Sequence, residues 1–311
     1  MEDMKKKDID TGMLRQERLK DAGDFPKVIL IDTTNYCNLR CSMCGHRLMT
    51  RKKGTMDIKL FRKIIDEIAE KDKSVRVWMV FFGEALLLKD KLYPLISYAK
   101  DKGLKDVVLN SNGNLLDEKV CLGLIKSGLD AIYVGIDAFS SEVYQKLRVG
   151  GNYEKVVKNV NTLIQLEKRL RVNKPKVFVQ FVEMEENEEE TDAFTKYWSD
   201  QGAIVKIRPK VSWAGTVQSW KVKNLQRYPC YWLMRTLNIC WDGRVALCSC
   251  DYDAKFVAGD VEKDSIQSIW LGKLKKLREA QTNGEWELLP KFCQECKDWQ
   301  FAIADYHSLN P

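Results

Sequence analysis

The chain has 311 residues, 45% of them hydrophobic and 31% charged, with a formal net charge of +7. That apolar content can bury a substantial core, in one large domain or in a main domain with a smaller one attached. No stretch approaches the roughly 18 unbroken apolar residues of a membrane span, the charged segment from Met1 to Asp24 lacks the apolar centre of a secretory signal, and with only two histidines, His46 and His307, the composition argues against a His-rich metal site or a Ser-His-Asp hydrolase.

Taken in chain order, Arg15 to Gly23 reads as a short polar helix or arm. Val28-Ile29-Leu30-Ile31 is an apolar run of the kind found in a buried parallel strand. Leu60, Ile64, Ile65 and Ile68 follow at helical spacing. Val75 to Phe82 reads as a strand and Leu92 to Lys102 as a helix closed by Gly103. Val107 to Asn110 is a strand, Asp117 to Ser127 a helix closed by Gly128, and Ile132 to Ile136 a fourth strand. A long helix is predicted from Tyr153 to Leu170, a strand from Lys176 to Val182, a helix from Glu189 to Gln201 and a sixth strand from Ile204 to Ile207. Strand–helix alternation of this kind implies a parallel sheet with its helices outside, because right-handed crossovers permit little else. Six units make an α/β fold, a partial (β/α)6 TIM-like barrel open along one side.

After Pro209 the regularity stops. Trp213 to Tyr228 reads as a connector with some helical content. Thr236 to Ile239 and Val245 to Leu247 flank Trp241-Asp242-Gly243, a hairpin signal, and Ser265 to Thr282 reads as one helix. The expected division is an N-terminal arm over 1–27, the barrel over 28–211 and a small C-terminal α+β domain over 212–311.

Ten cysteines in a chain with no export signal need an explanation other than disulfides, since the cytoplasm is the default compartment and is reducing. Sulfur-rich, histidine-poor composition points to iron–sulfur clusters or structural zinc. Lys and Arg are dispersed among acids, with Lys5-Lys6-Lys7 and Arg51-Lys52-Lys53 the only short runs, so a solvated surface accounts for the charge and nothing demands a nucleic-acid partner.

Cys37, Cys41 and Cys44 place three thiols within eight residues, directly after the first strand. Three cysteines can hold three irons of a cubane and leave the fourth iron open to a chelating ligand. A structural zinc with His46 as fourth ligand is the alternative. The C-x3-C-x2-C pattern at this place resembles the radical S-adenosylmethionine (SAM) superfamily, and the resemblance runs from Val28 to Ile207. It implies a [4Fe-4S] cluster whose open iron chelates SAM, and cleavage of SAM to a 5′-deoxyadenosyl radical that abstracts hydrogen from a substrate. Phe82-Gly83-Glu84-Ala85 resembles the family's Gly-Gly-Glu-Pro loop, with Gly83 and Glu84 the matching residues for the SAM amino group. Ser111 and Asn112 stand where the family places polar contacts to SAM. Gly135-Ile136-Asp137-Ala138 resembles the Ser-x-Asp-Gly strand end, with Gly135 in place of a hydroxyl. Arg148 before Gly150 resembles the Arg-Gly that precedes the next long helix, and Met43 takes a position usually aromatic and near the adenine.

The later pattern Cys230-x12-Gly243-x4-Cys248, then Cys293-x2-Cys296, resembles the accessory domain called SPASM in its truncated form, called twitch. It implies a second, auxiliary [4Fe-4S] cluster on Cys230, Cys248, Cys293 and Cys296; a zinc ribbon on the same thiols is the alternative. Cys121 and Cys240 read as small buried apolar residues, and Cys250 is an ambiguous additional ligand. Together these features imply a radical SAM enzyme, of dehydrogenase or epimerase type, acting on a small polar substrate such as a sugar or aminocyclitol, with a flavodoxin or ferredoxin as electron donor and no membrane partner. The segment before Val28 is too short for the peptide-binding domain that peptide-modifying relatives often add. A radical SAM maturase of ribosomal peptides and a non-catalytic zinc-binding interaction protein remain the alternatives. Glu183, Arg208, Lys210 and Asp242, at strand ends or the hairpin turn, are candidates for positioning or deprotonating the substrate.

Overall fold

The structure, a computed structural model, describes residues 22–218 and 220–301. The arm expected over Arg15–Gly23 lies outside this range apart from its last two residues, and His307 lies outside it altogether. The first half of the chain alternates β1 (Val28–Ile31), α1 (Ile58–Lys71), β2 (Arg76–Trp78), α2 (Leu92–Asp101), β3 (Asp106–Ser111), α3 (Glu118–Lys126), β4 (Ala131–Gly135), α4 (Ser141–Leu147), α5 (Tyr153–Leu170), β5 (Lys176–Glu183), α6 (Thr191–Gln201) and β6 (Ile204–Pro209). Helix α1 shows why the elements form where they do. The Asp57 side chain accepts from the Lys59 N–H to cap the first turn, and Leu60, Phe61, Ile64, Ile65 and Ile68 make one buried stripe.

Strands β1 to β6 are parallel and lie side by side in chain order. Sequential right-handed crossovers put the helices on one face of the sheet, which leaves the other face as the inside of a partial barrel. The central strands are buried on both faces and alternate between them. Val107, Leu109, Ile132, Val134, Val177 and Val179 belong to the large core shared with the helices. Val108, Tyr133 and Phe178 point the other way and meet Val28 and Trp78. This inner cluster, in which the Tyr133 and Phe178 rings stack 4.3 Å apart, floors the cavity described below.

The C-terminal part adds α7 (Tyr231–Arg235), β7 (Thr236–Ile239), β8 (Arg244–Ala246), β9 (Val257–Asp260), α8 (Ile266–Leu271), α9 (Lys273–Asn283) and α10 (Lys291–Glu295). It continues the same sheet. β7 pairs in parallel with β1, Ile29 opposite Leu237, and β8 and β9 follow antiparallel to complete nine strands among the described residues. Leu237 and Ile239 share the main core with Ile29 and Ile31. Among the described residues no helix is long and apolar enough to cross a membrane.

Several sequence expectations need correction. The strand expected over Val75–Phe82 is shorter, because the Phe82 N–H leaves the ladder to bind the Asp32 carboxylate at 2.6 Å. Helix α4 was not expected; Ser140 caps it and Tyr144 and Leu147 anchor it. The connector over Trp213–Tyr228 contains no helix among its described residues. The single helix expected over Ser265–Thr282 breaks at Gly272, whose backbone (φ −86°, ψ −118°) is not helical. β9 was also missed, its four residues being too few to show a period.

Because β7 is bonded directly to β1, we expect Leu237→Ala to destabilise the whole chain by about 2–4 kcal/mol, the cost of a buried leucine truncation. Urea unfolding followed by circular dichroism should stay a single transition. Separate transitions for the barrel and the C-terminal part would contradict this.

Candidate active site

The site is built where the C-terminal ends of the strands meet the loops that follow them, the usual ligand rim of such a sheet. Asp32, just after β1, is fully buried. Its two oxygens accept from the Phe82 N–H and from Arg51 Nη2, each at 2.6 Å. Burial pushes its carboxyl up to about 6, against the opposing pull of Arg51 and the Phe82 N–H. Arg51 also donates through Nε to the Tyr252 carbonyl at 2.7 Å, and the Asp253 carboxylate accepts from the Thr50 and Arg51 N–H groups. The loop that begins at β1 is thereby tied back onto the C-terminal part.

Within that loop Cys37, Cys41 and Cys44 line a cavity of about 300 Å³. The Arg40 and Ser42 N–H groups bond to the carbonyls of Val149 and Leu147, which straps the loop against the end of α4. Each sulfur faces a donor: Leu39 N–H at 3.5 Å from Cys37, His46 N–H at 3.4 Å from Cys44, and Arg148 Nη1 at 3.6 Å from Cys41. Burial pushes the Cys37 thiol up to about 11 and Cys44 to about 12, and binding a metal would displace those protons. Thiols facing N–H donors are a set suited to an iron–sulfur cluster. His46 Nε2 lies 2.8 Å from the Asn35 carbonyl. A carbonyl only accepts, so that nitrogen carries the proton and does not serve as a zinc ligand.

The SAM-type residues converge on the same cavity. Gly83 has φ +104°, and a Cβ there would lie 2.6 Å from the Thr34 carbonyl oxygen and 2.7 Å from that of Tyr36. Only glycine lets this loop pass so close to the cysteine loop. Glu84 is buried, which raises its carboxyl, and it accepts from the N–H groups of Asn112 (2.7 Å) and Leu86 (3.1 Å) and from the Ser111 hydroxyl. A carboxylate has about four acceptor positions, so one remains for an ammonium group. Asn112 Nδ2 bonds to Asn38 Oδ1 at 2.9 Å, joining β3 to the cysteine loop. Asp137 accepts from the Val182 N–H and forms a short buried ion pair with Arg148. Burial opposes the charge on Arg148, yet the neighbouring Asp137 and Cys41 hold the guanidinium firmly protonated. The missing hydroxyl at Gly135 now has a reason, since a Cβ there would sit 2.1 Å from Arg148 Nη2. Met43 is buried on the cavity wall, and its carbonyl accepts from Trp213 Nε1 at 2.6 Å.

The second thiol set surrounds a smaller cavity lined by Cys230, Cys248, Cys250, Cys293 and Cys296. Arg227 Nη2 and Gln281 Nε2 each lie 3.9 Å from the Cys293 sulfur, and the Asp298 N–H is 3.3 Å from that of Cys296. Burial raises Cys230 to about 11 and Cys293 to about 12. Among the described residues no three His, Cys, Asp or Glu groups are gathered tightly enough to hold a single metal ion. Cys250 and Trp232 line both cavities and form the partition between them.

Of the four acid–base candidates, Arg208 and Lys210 line the main cavity. Glu183 and Asp242 do not: Glu183 pairs with Lys221 at 3.4 Å and Asp242 with Arg244 at 2.8 Å. Sequence reasoning missed Trp213, Asp298 and Trp232. The buried Asp298 carboxylate accepts from the Ser212 and Ala214 N–H groups and so holds Trp213 against the cysteine loop. A Trp in an irregular connector gives no periodic signal, and Asp298 is distinguished only by standing two residues after Cys296.

A sequence model of the radical SAM superfamily matches residues 31–192, just over half of the chain, and one described as an iron–sulfur cluster-binding domain (SPASM) matches residues 230–297. A probable GTP 3′,8-cyclase of Methanococcus maripaludis is 33% identical over 182 residues, covering 57% of this chain and 56% of that protein. A tungsten-containing aldehyde ferredoxin oxidoreductase cofactor-modifying protein of Pyrococcus furiosus is 26% identical over 182 residues, covering 57% and 49%. The match thus spans about half the length of these relatives. Two solved structures share the fold: BtrN in complex with AdoMet and 2-DOIA (TM-score 0.62, 19% identity, 88% of this chain and 92% of that one), and Streptococcus suis SuiB bound to its precursor peptide SuiA (TM-score 0.69, 12% identity, 91% and 74%).

Two outcomes follow for the site. Gly135→Ala should displace Arg148 from Asp137 and Cys41, and breaking that buried pair should cost about 3–5 kcal/mol, read as a drop in the urea midpoint at constant slope. Asp32 binds its proton more tightly folded (about 6) than unfolded (3.8). Its contribution therefore favours the folded chain at low pH and is lost as pH rises from about 4 to 6. The stability of the parent chain relative to Asp32→Asn should fall across that window and level off above pH 7, measured by denaturation at each pH; a flat difference would show that Asp32 titrates normally.

Proposed function

This chain belongs to the radical SAM superfamily, and from that premise we propose that it abstracts hydrogen from a small polar, sugar-like substrate and oxidises or epimerises it. The observation that carries this reading is the shared wall: Cys250 and Trp232 separate a cavity holding the SAM-type residues from one ringed by the later cysteines. A cluster held by the later cysteines would supply an electron acceptor on the far side of that wall from a substrate in the first cavity.

Cys37, Cys41 and Cys44 would hold the catalytic [4Fe-4S] cluster, and Cys230, Cys248, Cys293 and Cys296 the auxiliary one. When bound, the catalytic cluster and SAM supply a one-electron cleavage that yields a 5′-deoxyadenosyl radical, with a flavodoxin or ferredoxin as the source of the electron. The residues of the chain do the rest. Glu84 takes the SAM ammonium at its remaining acceptor position, fixed from three sides by Leu86, Ser111 and Asn112. Arg148 and the N–H groups of Leu39 and His46 donate to the catalytic sulfurs and stabilise their negative charge. Phe82 and Trp213, with ring centroids 5.4 Å apart, wall the cavity with apolar surface and keep bulk solvent from the reacting groups. Cys250 and Trp232 stand in the wall between the two cavities.

Anaerobic reconstitution with iron and sulfide should load about eight irons per chain, and reduction with dithionite should then release 5′-deoxyadenosine and methionine from SAM. Replacing Cys37, Cys41 and Cys44 together by Ala should abolish the cleavage and leave about four irons. A chain that binds two zinc ions and leaves SAM intact, or a triple variant that still cleaves it, would refute the reading.

A further inference from the structure

The inside of the barrel carries a polar pair that the site described above does not use. Gln180 on β5 and Asn110 on β3 both line the main cavity, with β4 between them in the sheet. Gln180 Nε2 donates to Asn110 Oδ1 at 2.6 Å, so the two amides meet across β4. The ladders put Asn110 opposite Tyr133 and Gln180 opposite Gly135. The crossing therefore lies between the floor formed by Tyr133 and Phe178 and the strand ends where the SAM-type residues gather. Asn110 precedes Asn112 by two residues and stands about 7 Å further in.

Each amide has an open half. Gln180 is only 3% exposed, and its Oε1 has no hydrogen-bond partner. Lys206, its neighbour across the β5–β6 ladder, does not supply one. Asn110 is half-buried, and among the described residues its Nδ2 donates to nothing. It shares the inward face of β3 with Val108, so what is exposed of it opens into the cavity. A buried acceptor left open costs stability, and a ligand that fills it recovers that cost on binding.

The pair thus offers one donor and one acceptor side by side. Turning both amides over exchanges the two roles and leaves the same offer. A carboxylate or phosphate would accept from the N–H but face the open oxygen. An ammonium would donate to the oxygen but face the N–H. A hydroxyl satisfies both. The same-face neighbours Val108, Phe178 and Val182 are apolar, and in such surroundings a completed hydrogen bond counts for more.

We infer that Gln180 and Asn110 form a hydroxyl-binding subsite that fixes one hydroxyl of the sugar-like substrate, inward of the SAM-type residues. This rests on the small-molecule reading above and deepens it, by naming the side chains that orient the substrate. The competing source of the same chemistry is the ribose of SAM.

The test is calorimetric titration of glucose, and of glucose lacking one hydroxyl at each position in turn, into the anaerobically reconstituted protein with SAM already bound. The subsite predicts that at least one deoxy position weakens binding about tenfold, the loss of one hydrogen bond. That positional penalty should vanish in Gln180→Met, which leaves no acceptor to fill. Asn110→Asp keeps an acceptor for Gln180 Nε2 and removes only the donor. It should weaken glucose about tenfold and erase the same penalty, even if Gln180→Met does not fold. Glucose that fails to bind, the absence of any positional penalty, or a penalty that survives in the folded variants overturns the inference. So does SAM that binds about tenfold more weakly to either variant with no glucose present, since the pair would then serve the ribose. SAM cleavage by the unsubstituted protein is measured separately, and its failure would strike the enzyme reading rather than the hydroxyl subsite.

Discussion

The arrangement depends on the buried pair formed by Asp32 and Arg51. A carboxylate with no solvent exposure is costly unless its oxygens are filled, and here, at the end of β1, the loop after β2 and the return of the cysteine loop fill them. Arg51 then reaches the Tyr252 carbonyl, and Asp253 catches the adjacent backbone. Four segments distant in sequence are fixed at one point on the rim. The cysteine loop, which has little secondary structure of its own, takes its shape from this point and from the strap along α4.

A second tie sets the relation between the two thiol sets. Asp298 follows Cys296 by two residues and holds the backbone of Ser212 and Ala214, while Trp213 between them donates to the Met43 carbonyl, next to Cys44. The later cysteines and the first three are thus connected through a short run of buried hydrogen bonds. β7 reinforces this from below by pairing with β1, so the C-terminal part is bonded to the strand that launches the catalytic loop. Cys250 and Trp232 fall between the two cavities as a result.

The cysteine spacing, the alternation of strands and helices and the order of the strand-end residues were all legible in the chain, because each is a local pattern. Glu84, Ser111 and Asn112 could be named from their motifs, and the structure joins them in one hydrogen-bonded group. The role of Gly135 could not. Its reason is the guanidinium of Arg148, thirteen residues later, which occupies the space a side chain would need. Glu183 and Asp242 looked as eligible as Arg208 and Lys210, all four standing at strand ends or turns. What separated them was which face of the strand each occupied and whether a surface lysine or arginine was close enough to neutralise it.

By itself the sequence determined the fold class, the six parallel strands and the separation of an early group of cysteines from a later one, since periodicity and spacing are properties of neighbours along a chain. Only the tertiary structure decided that β7 extends the same sheet and that the two thiol sets share a wall. Those facts depend on contacts between residues far apart in the chain, where burial makes each polar group find a partner, and no local pattern records which partner that is.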